Sequence, residues 1–269
     1  MFFVLAYGLS WLWWMPLAVG GALVRPGLLP THIPGLLGPA LAALWVAWAI
    51  DGKPTFDDLV SRVFRFRISF HGWVASLMPL VFLSLGAIAQ RVAVGTWPDL
   101  EGLGRYSGIP ELGVLPVILI AFLGNGLGEE IGWRGYALPR LQAYYGARLG
   151  TLFLWPIWAL WHLPNFWFLS IFLQMDVFTI AFVCGLGILA GTMVLANVTH
   201  LAGGSIVAAA IWHLSYNAAA ATDLGTTIPM IATVLVMIWA VLLLLHDWRH
   251  PDHSWLGVPP LPPFENRSQ

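Results

Sequence analysis

The sequence predicts an all-α, polytopic bundle of about eight transmembrane helices, on three observations. First, 59% of the 269 residues are hydrophobic and only 9% are charged, where a soluble domain carries roughly 25% charge. Second, apolar stretches long enough for a bilayer crossing, about 20 residues each, recur along the chain. Third, the 16 tryptophans suit amphipathic anchors at a membrane–water boundary. The net charge of -1 and the lack of a basic arm exclude a nucleic-acid partner. The single cysteine, Cys184, excludes an intrachain disulfide framework and a multi-cysteine zinc site. It sits in an apolar run and reads as an inert packing residue.

In chain order the expected spans are Phe2–Val24, Pro34–Ile50, Trp73–Val94, Val114–Gly126, Gly150–Phe172, Val177–Asn197, Ser205–Ala221 and Ile228–His246. The first lacks a basic leader and a clear cleavage site, so it reads as a retained helix. The fourth is short and is expected to continue as helix past Gly128. Between the second and third, Thr55–Phe70 alternates basic and apolar residues, as an amphipathic helix lying on the membrane surface does. Residues 1–246 read as one transmembrane unit, with a motif-bearing core at 114–222. Residues 247–269 form a tail containing Pro259, Pro260, Pro262 and Pro263, expected to be extended or disordered. Basic residues cluster on one side: Lys53, Arg62, Arg65 and Arg67, then Arg134, Arg140 and Arg148, then Arg249 and Arg267. The positive-inside rule places that side, and both termini, in the cytoplasm.

Ionisable groups at membrane depth are costly and therefore candidates for function. Three places hold them. In Glu129-Glu130-Ile131-Gly132-Trp133-Arg134, Glu130 and Arg134 are one helical turn apart and can pair, which leaves Glu129 free to face elsewhere. A structural ion-pair cluster at a helix end is the plainer reading. In Trp158-Ala159-Leu160-Trp161-His162-Leu163-Pro164, His162 lies inside the fifth span with Trp158 one turn before it, and Pro164 opens the backbone ladder. In His213-Leu214-Ser215-Tyr216-Asn217, both polar residues share a helix face, with Ser205 placed to cap its N-terminus. Each of the last two is also compatible with simple interhelical hydrogen bonding. Together the three supply a general base, two imidazoles and an amide donor, an inventory for activating water and stabilising an oxyanion.

These motifs resemble the family of CAAX proteases and bacteriocin-processing enzymes, which includes the type II CAAX prenyl endopeptidases. The family pattern of Glu-Glu-x-x-x-Arg, then Phe-x-x-x-His, then His-x-x-x-Asn/Asp is met by Glu129-Glu130-x-x-x-Arg134, Trp158-x-x-x-His162 and His213-x-x-x-Asn217. Trp158 departs from the family's Phe. The resemblance is close over Leu123 to Ala219 and rests on hydropathy alone before that. It implies intramembrane peptide-bond hydrolysis, with Glu129 and His162 activating water and His213 and Asn217 stabilising the oxyanion. Glu130, Arg134 and Trp158 support the site. The implied substrate is a lipidated protein or membrane peptide reaching the site through the bilayer, and the flavour of the motif runs suggests a bacterial cell membrane. The cofactor is left open: His162, His213 and Glu129 make a conceivable zinc set, but no His-Glu-x-x-His helix is present, so a metal-independent mechanism is preferred. A non-catalytic membrane scaffold and a proton-coupled transporter are the alternatives. The transporter is disfavoured by the lack of an internal repeat.

Overall fold

A computed structural model describes residues 1–250 and 252–260, apart from the side chains of residues 183 and 184. The packing expected of Cys184 and the tail beyond residue 260 therefore lie outside the described residues. The chain is helical. Its only β contacts among the described residues are four isolated bridges in the loops. The elements are α1 (Phe2–Val19), α2 (Ile33–Asp51), α3 (Lys53–Val63), α4 (Phe70–Val94), α5 (Val114–Ala121, continued by Phe122–Glu129 and Ile131–Ala137), α6 (Leu138–Trp161), α7 (Val177–Leu201), α8 (Ile206–Ala220) and α9 (Thr227–Arg249).

Among the described residues, six runs are long and apolar enough to cross a membrane, and one of these, Val114–Trp167, has 54 residues. That run folds into two arms. It rises as α5 and reverses inside α6 at Gly146, whose φ of +79° breaks the helix at a conformation glycine adopts without strain. Across the reversal, Gln142 donates to Thr151 Oγ1 at 3.0 Å. With the two arms of this run and the shorter apolar α8, eight apolar segments stand where the eight spans are expected. α3 and the residue 65–69 segment lie at one end of the bundle. The residue 20–32 and 95–113 loops lie at the other, where Val24, Pro26, Gly27 and Tyr106 make the bridges.

Three local expectations are revised. The surface segment is helical only over Lys53–Val63; beyond it, residues 65–69 are non-helical. The fifth span does not run to Phe172. It ends at Trp161, and Leu163–Trp167 forms a tight turn, because Pro164 has no N–H for a continuing helix. The tail does not leave the bundle at Arg249. Residues 252–260 fold back: Asn197 Nδ2 donates to the Trp255 carbonyl at 2.9 Å, the Leu256 carbonyl accepts from Gln142 Nε2 at 2.7 Å, and the Val258 N–H donates to Gln142 Oε1 at 2.8 Å. Leu256 is 2% exposed, so burial of its side chain joins the backbone bonds in holding the tail.

The core is aromatic where α1, α5 and α6 meet. Trp161 packs on Trp14 at 4.6 Å and on Trp133 at 5.6 Å between ring centroids. α5 is pressed between α2 and α8, and glycine makes this possible. A Cβ on Gly132 would lie 2.4 Å from Pro39 Cβ and 2.7 Å from the Pro39 carbonyl carbon. Residues Phe122–Glu129 and Ile131–Ala137 wind as wide i→i+5 turns, a geometry frequent at functional sites.

Candidate active site

The wide turns of α5 bring both glutamates inward. Glu129 is 1% exposed, and Glu130 and Arg134 are 0% exposed. The expected Glu130–Arg134 pair forms, with Arg134 Nη1 donating to Glu130 Oε1 at 3.1 Å. That oxygen also accepts from His213 Nδ1 of α8 at 2.6 Å. The Arg134 guanidinium sits 4.1 Å above the Trp158 ring, where the ring face attracts a cation. Glu130 thus joins the first motif to the third, and Trp158 joins the second to the first.

Glu129 faces away from that pair. Its Oε2 accepts from the Trp158 indole N–H at 2.9 Å, and its Oε1 from Asn125 Nδ2 at 3.3 Å. Oε2 lies 3.9 Å from His162 Nε2, too far for a direct hydrogen bond and a separation at which a bridging water is the natural question. His162 caps the C-terminus of α6, where its Nδ1 is 2.8 Å from the Trp158 carbonyl. A carbonyl only accepts, so Nδ1 carries the proton and Nε2 of the neutral ring turns a lone pair towards Glu129.

His213 and Asn217 lie on the expected shared face of α8, whose N-terminus Ser205 caps by accepting from Ala208 N at 3.3 Å. Asn217 Nδ2 donates to the Tyr106 hydroxyl at 3.0 Å. Tyr106 in turn donates to Asn125 Oδ1 at 2.8 Å. Neither Tyr106 nor Asn125 was among the residues singled out in the sequence. Asn125 stands four residues before Glu129 in a Gly-x-Gly run and could have been found by that spacing. Tyr106 comes from a loop with no motif.

Of the conceivable zinc set, His162 and His213 engage Nδ1 with the Trp158 carbonyl and with Glu130, bonds that a ligating histidine also makes through its second ring nitrogen. Among the described residues no three His, Cys, Asp or Glu side chains are arranged to hold a metal ion.

Comparison with known proteins converges on the same stretch. Residues 111–219 match the model of a family described as type II CAAX prenyl endopeptidase Rce1-like. A curated relative, CAAX prenyl protease 2 of Methanococcus maripaludis, is 25% identical over 138 residues, covering 49% of this chain and 48% of the relative. The aligned part thus spans about half the length of that protein. With six apolar runs fit to cross a bilayer, the chain is an integral membrane protein.

Proposed function

Starting from a chain whose residues 111–219 match the Rce1-like family model, we propose that it is an intramembrane endopeptidase that hydrolyses a peptide bond with Glu129 as general base. The observation that carries this reading is the disposition of Glu129 and His162. A buried carboxylate and an imidazole lone pair face one another across 3.9 Å, each fixed from behind by Trp158.

In this reading a water molecule sits between Glu129 Oε2 and His162 Nε2. Glu129 takes one proton from it as the water oxygen bonds to the substrate's carbonyl carbon. The carbonyl π bond opens and its electron pair becomes the oxyanion. Asn217 has a second Nδ2 hydrogen beyond the one given to Tyr106, and His213 can donate from Nε2 as the imidazolium, its charge balanced by Glu130. These two donors stabilise the oxyanion. When the tetrahedral intermediate collapses, the C–N bond breaks and the proton held by Glu129 passes to the leaving nitrogen.

The substrate class we infer is a membrane-associated or lipidated protein segment, since the site is enclosed by helices that face lipid. One end of the bundle carries α3, the Gly146 reversal, the start of α1 and the turned-back residues 252–260, with Lys53, Arg62, Arg65, Arg67, Arg140 and Arg148 gathered there. The positive-inside rule therefore supports a cytoplasmic placement of that end, in a bacterial cell membrane.

The test is cleavage of a pool of lipidated and plain membrane peptides by detergent-purified protein, with Glu129→Gln and His162→Ala beside wild type and a strong zinc chelator in parallel. Cleavage lost in both variants and kept under chelation is the expected result. Turnover retained by Glu129→Gln overturns the assignment. Loss under chelation, restored by zinc, returns the metal set.

A further inference from the structure

The residues that position Glu129 and Asn217 do not all belong to the three motifs. Four side chains form one chain of hydrogen bonds that runs in a single direction. Asn217 Nδ2 donates to Tyr106 at 3.0 Å, Tyr106 donates to Asn125 Oδ1 at 2.8 Å, and Asn125 Nδ2 donates to Glu129 Oε1 at 3.3 Å. Bonds aligned in this way polarise one another, and the chain ends on the carboxylate.

Tyr106 is 3% exposed and Asn125 8%, so water does not substitute freely for either. The tyrosine comes from the loop before α5, at the end of the bundle opposite α3, and that loop is tightly held. The Tyr106 carbonyl accepts from Gly27 N and Ile109 N, each at 3.1 Å, and Ser107 N donates to the Ala221 carbonyl at 3.3 Å. Next to it, Arg105 pairs with Asp223 at 2.9 Å and Asp99 at 3.4 Å, and approaches Glu111 at 3.8 Å. These contacts fasten the loop to the start of the α8–α9 connection and seat the tyrosine hydroxyl between two amides.

We propose that Tyr106 is a positioning residue. Through Asn125 it fixes the rotamer of Glu129. Through its acceptor lone pair it turns Asn217 so that the second Nδ2 hydrogen faces the oxyanion. The loop at one end of the bundle thereby sets the geometry of chemistry performed in its interior. This rests on the hydrolase reading above. It adds that base and oxyanion donor are one mechanical unit, joined by a residue outside the motifs.

The experiment uses the full chain in detergent and the peptide that wild type cleaves. Tyr106→Phe keeps the ring and removes both bonds. The expected result is kcat lower by on the order of tenfold with KM unchanged, and a melting temperature close to wild type. Asn125→Ala should behave alike. In an Asn217→Ala background, Tyr106→Phe should have a much smaller effect than in wild type, since part of its action passes through Asn217. Should Tyr106→Phe fail to fold, Arg105→Gln loosens the loop from outside and should lower kcat with KM unchanged. Wild-type kcat in Tyr106→Phe, fully additive effects in the double variant, or equal losses in KM and kcat would each overturn the proposal. If cleavage persists in Glu129→Gln, it is the hydrolase reading that fails; if cleavage is lost there but Tyr106→Phe is unaffected, only the positioning role fails.

Discussion

Trp158 holds Glu129 from the side and His162 from below: its indole N–H reaches Glu129 Oε2 at 2.9 Å, and its carbonyl receives His162 Nδ1 at 2.8 Å. The family pattern has phenylalanine at this position, and phenylalanine lacks the indole donor. A hydrogen bond to a charged group contributes about 1.5–3 kcal/mol. Trp158→Phe is therefore expected to lower kcat by on the order of tenfold or more, while the ring beneath Arg134 is kept. Steady-state kinetics on a cleavable peptide check this, and an unchanged kcat would remove the indole from the mechanism.

Arg134 and Glu130 form an ion pair in which both side chains are fully buried. Replacing Arg134 with methionine leaves a buried carboxylate with half its partners. Breaking such a pair costs about 3–5 kcal/mol. Arg134→Met should lower the melting temperature in detergent markedly, and adding Glu130→Gln should recover part of the loss. A double variant no better than the single one would mean that the ion pair does not control stability.

The contact between α5 and α2 gives a steric prediction. A Cβ at Gly132 would overlap the Pro39 backbone, which cannot rotate away as a flexible side chain would. Overpacking of this kind costs about 1–3 kcal/mol. Gly132→Ala should be destabilised in a thermal melt, while Gly8→Ala, with nothing near its added methyl, should match wild type. Equal melting temperatures for the two would contradict the close approach.

The turned-back tail predicts that truncation after residue 250 weakens the whole bundle. It would strip partners from Gln142, Asn197 and Asp247. Each buried polar group left unpaired costs about 1–3 kcal/mol. A lower melting temperature for the truncated chain is the expected result, and an unchanged one would show that the tail contributes nothing.

Much of the fold was legible because lipid imposes a simple rule: each crossing must be apolar and must satisfy its own backbone. The i,i+4 spacing of Glu130 and Arg134 announced their pair, and His213 and Asn217 announced a shared face. What was hidden depended on contacts between distant segments. Hydropathy does not distinguish wide turns from ordinary ones, so the inward turn of both glutamates could not be read. Tyr106 reaches the site only because the loop at 105–110 is clasped to residues 25–27 and 221–223. The tail's docking depends on Gln142 and Asn197, more than 50 residues away. Pro164 did mark the place where α6 stops, but hydropathy alone carried the span beyond it.

The glycine reversal at Gly146 has a further consequence. Because α5 and α6 are two strokes of one run that turns at Gly146, Glu129 and His162 are mounted on opposite arms of a hairpin, and their separation is governed by how far those arms splay. A small change at the bend, far from any reacting atom, would be felt as a change in the gap that must admit a water molecule. The bend is a place where the same catalytic residues could be tuned to a different working rate with none of them replaced.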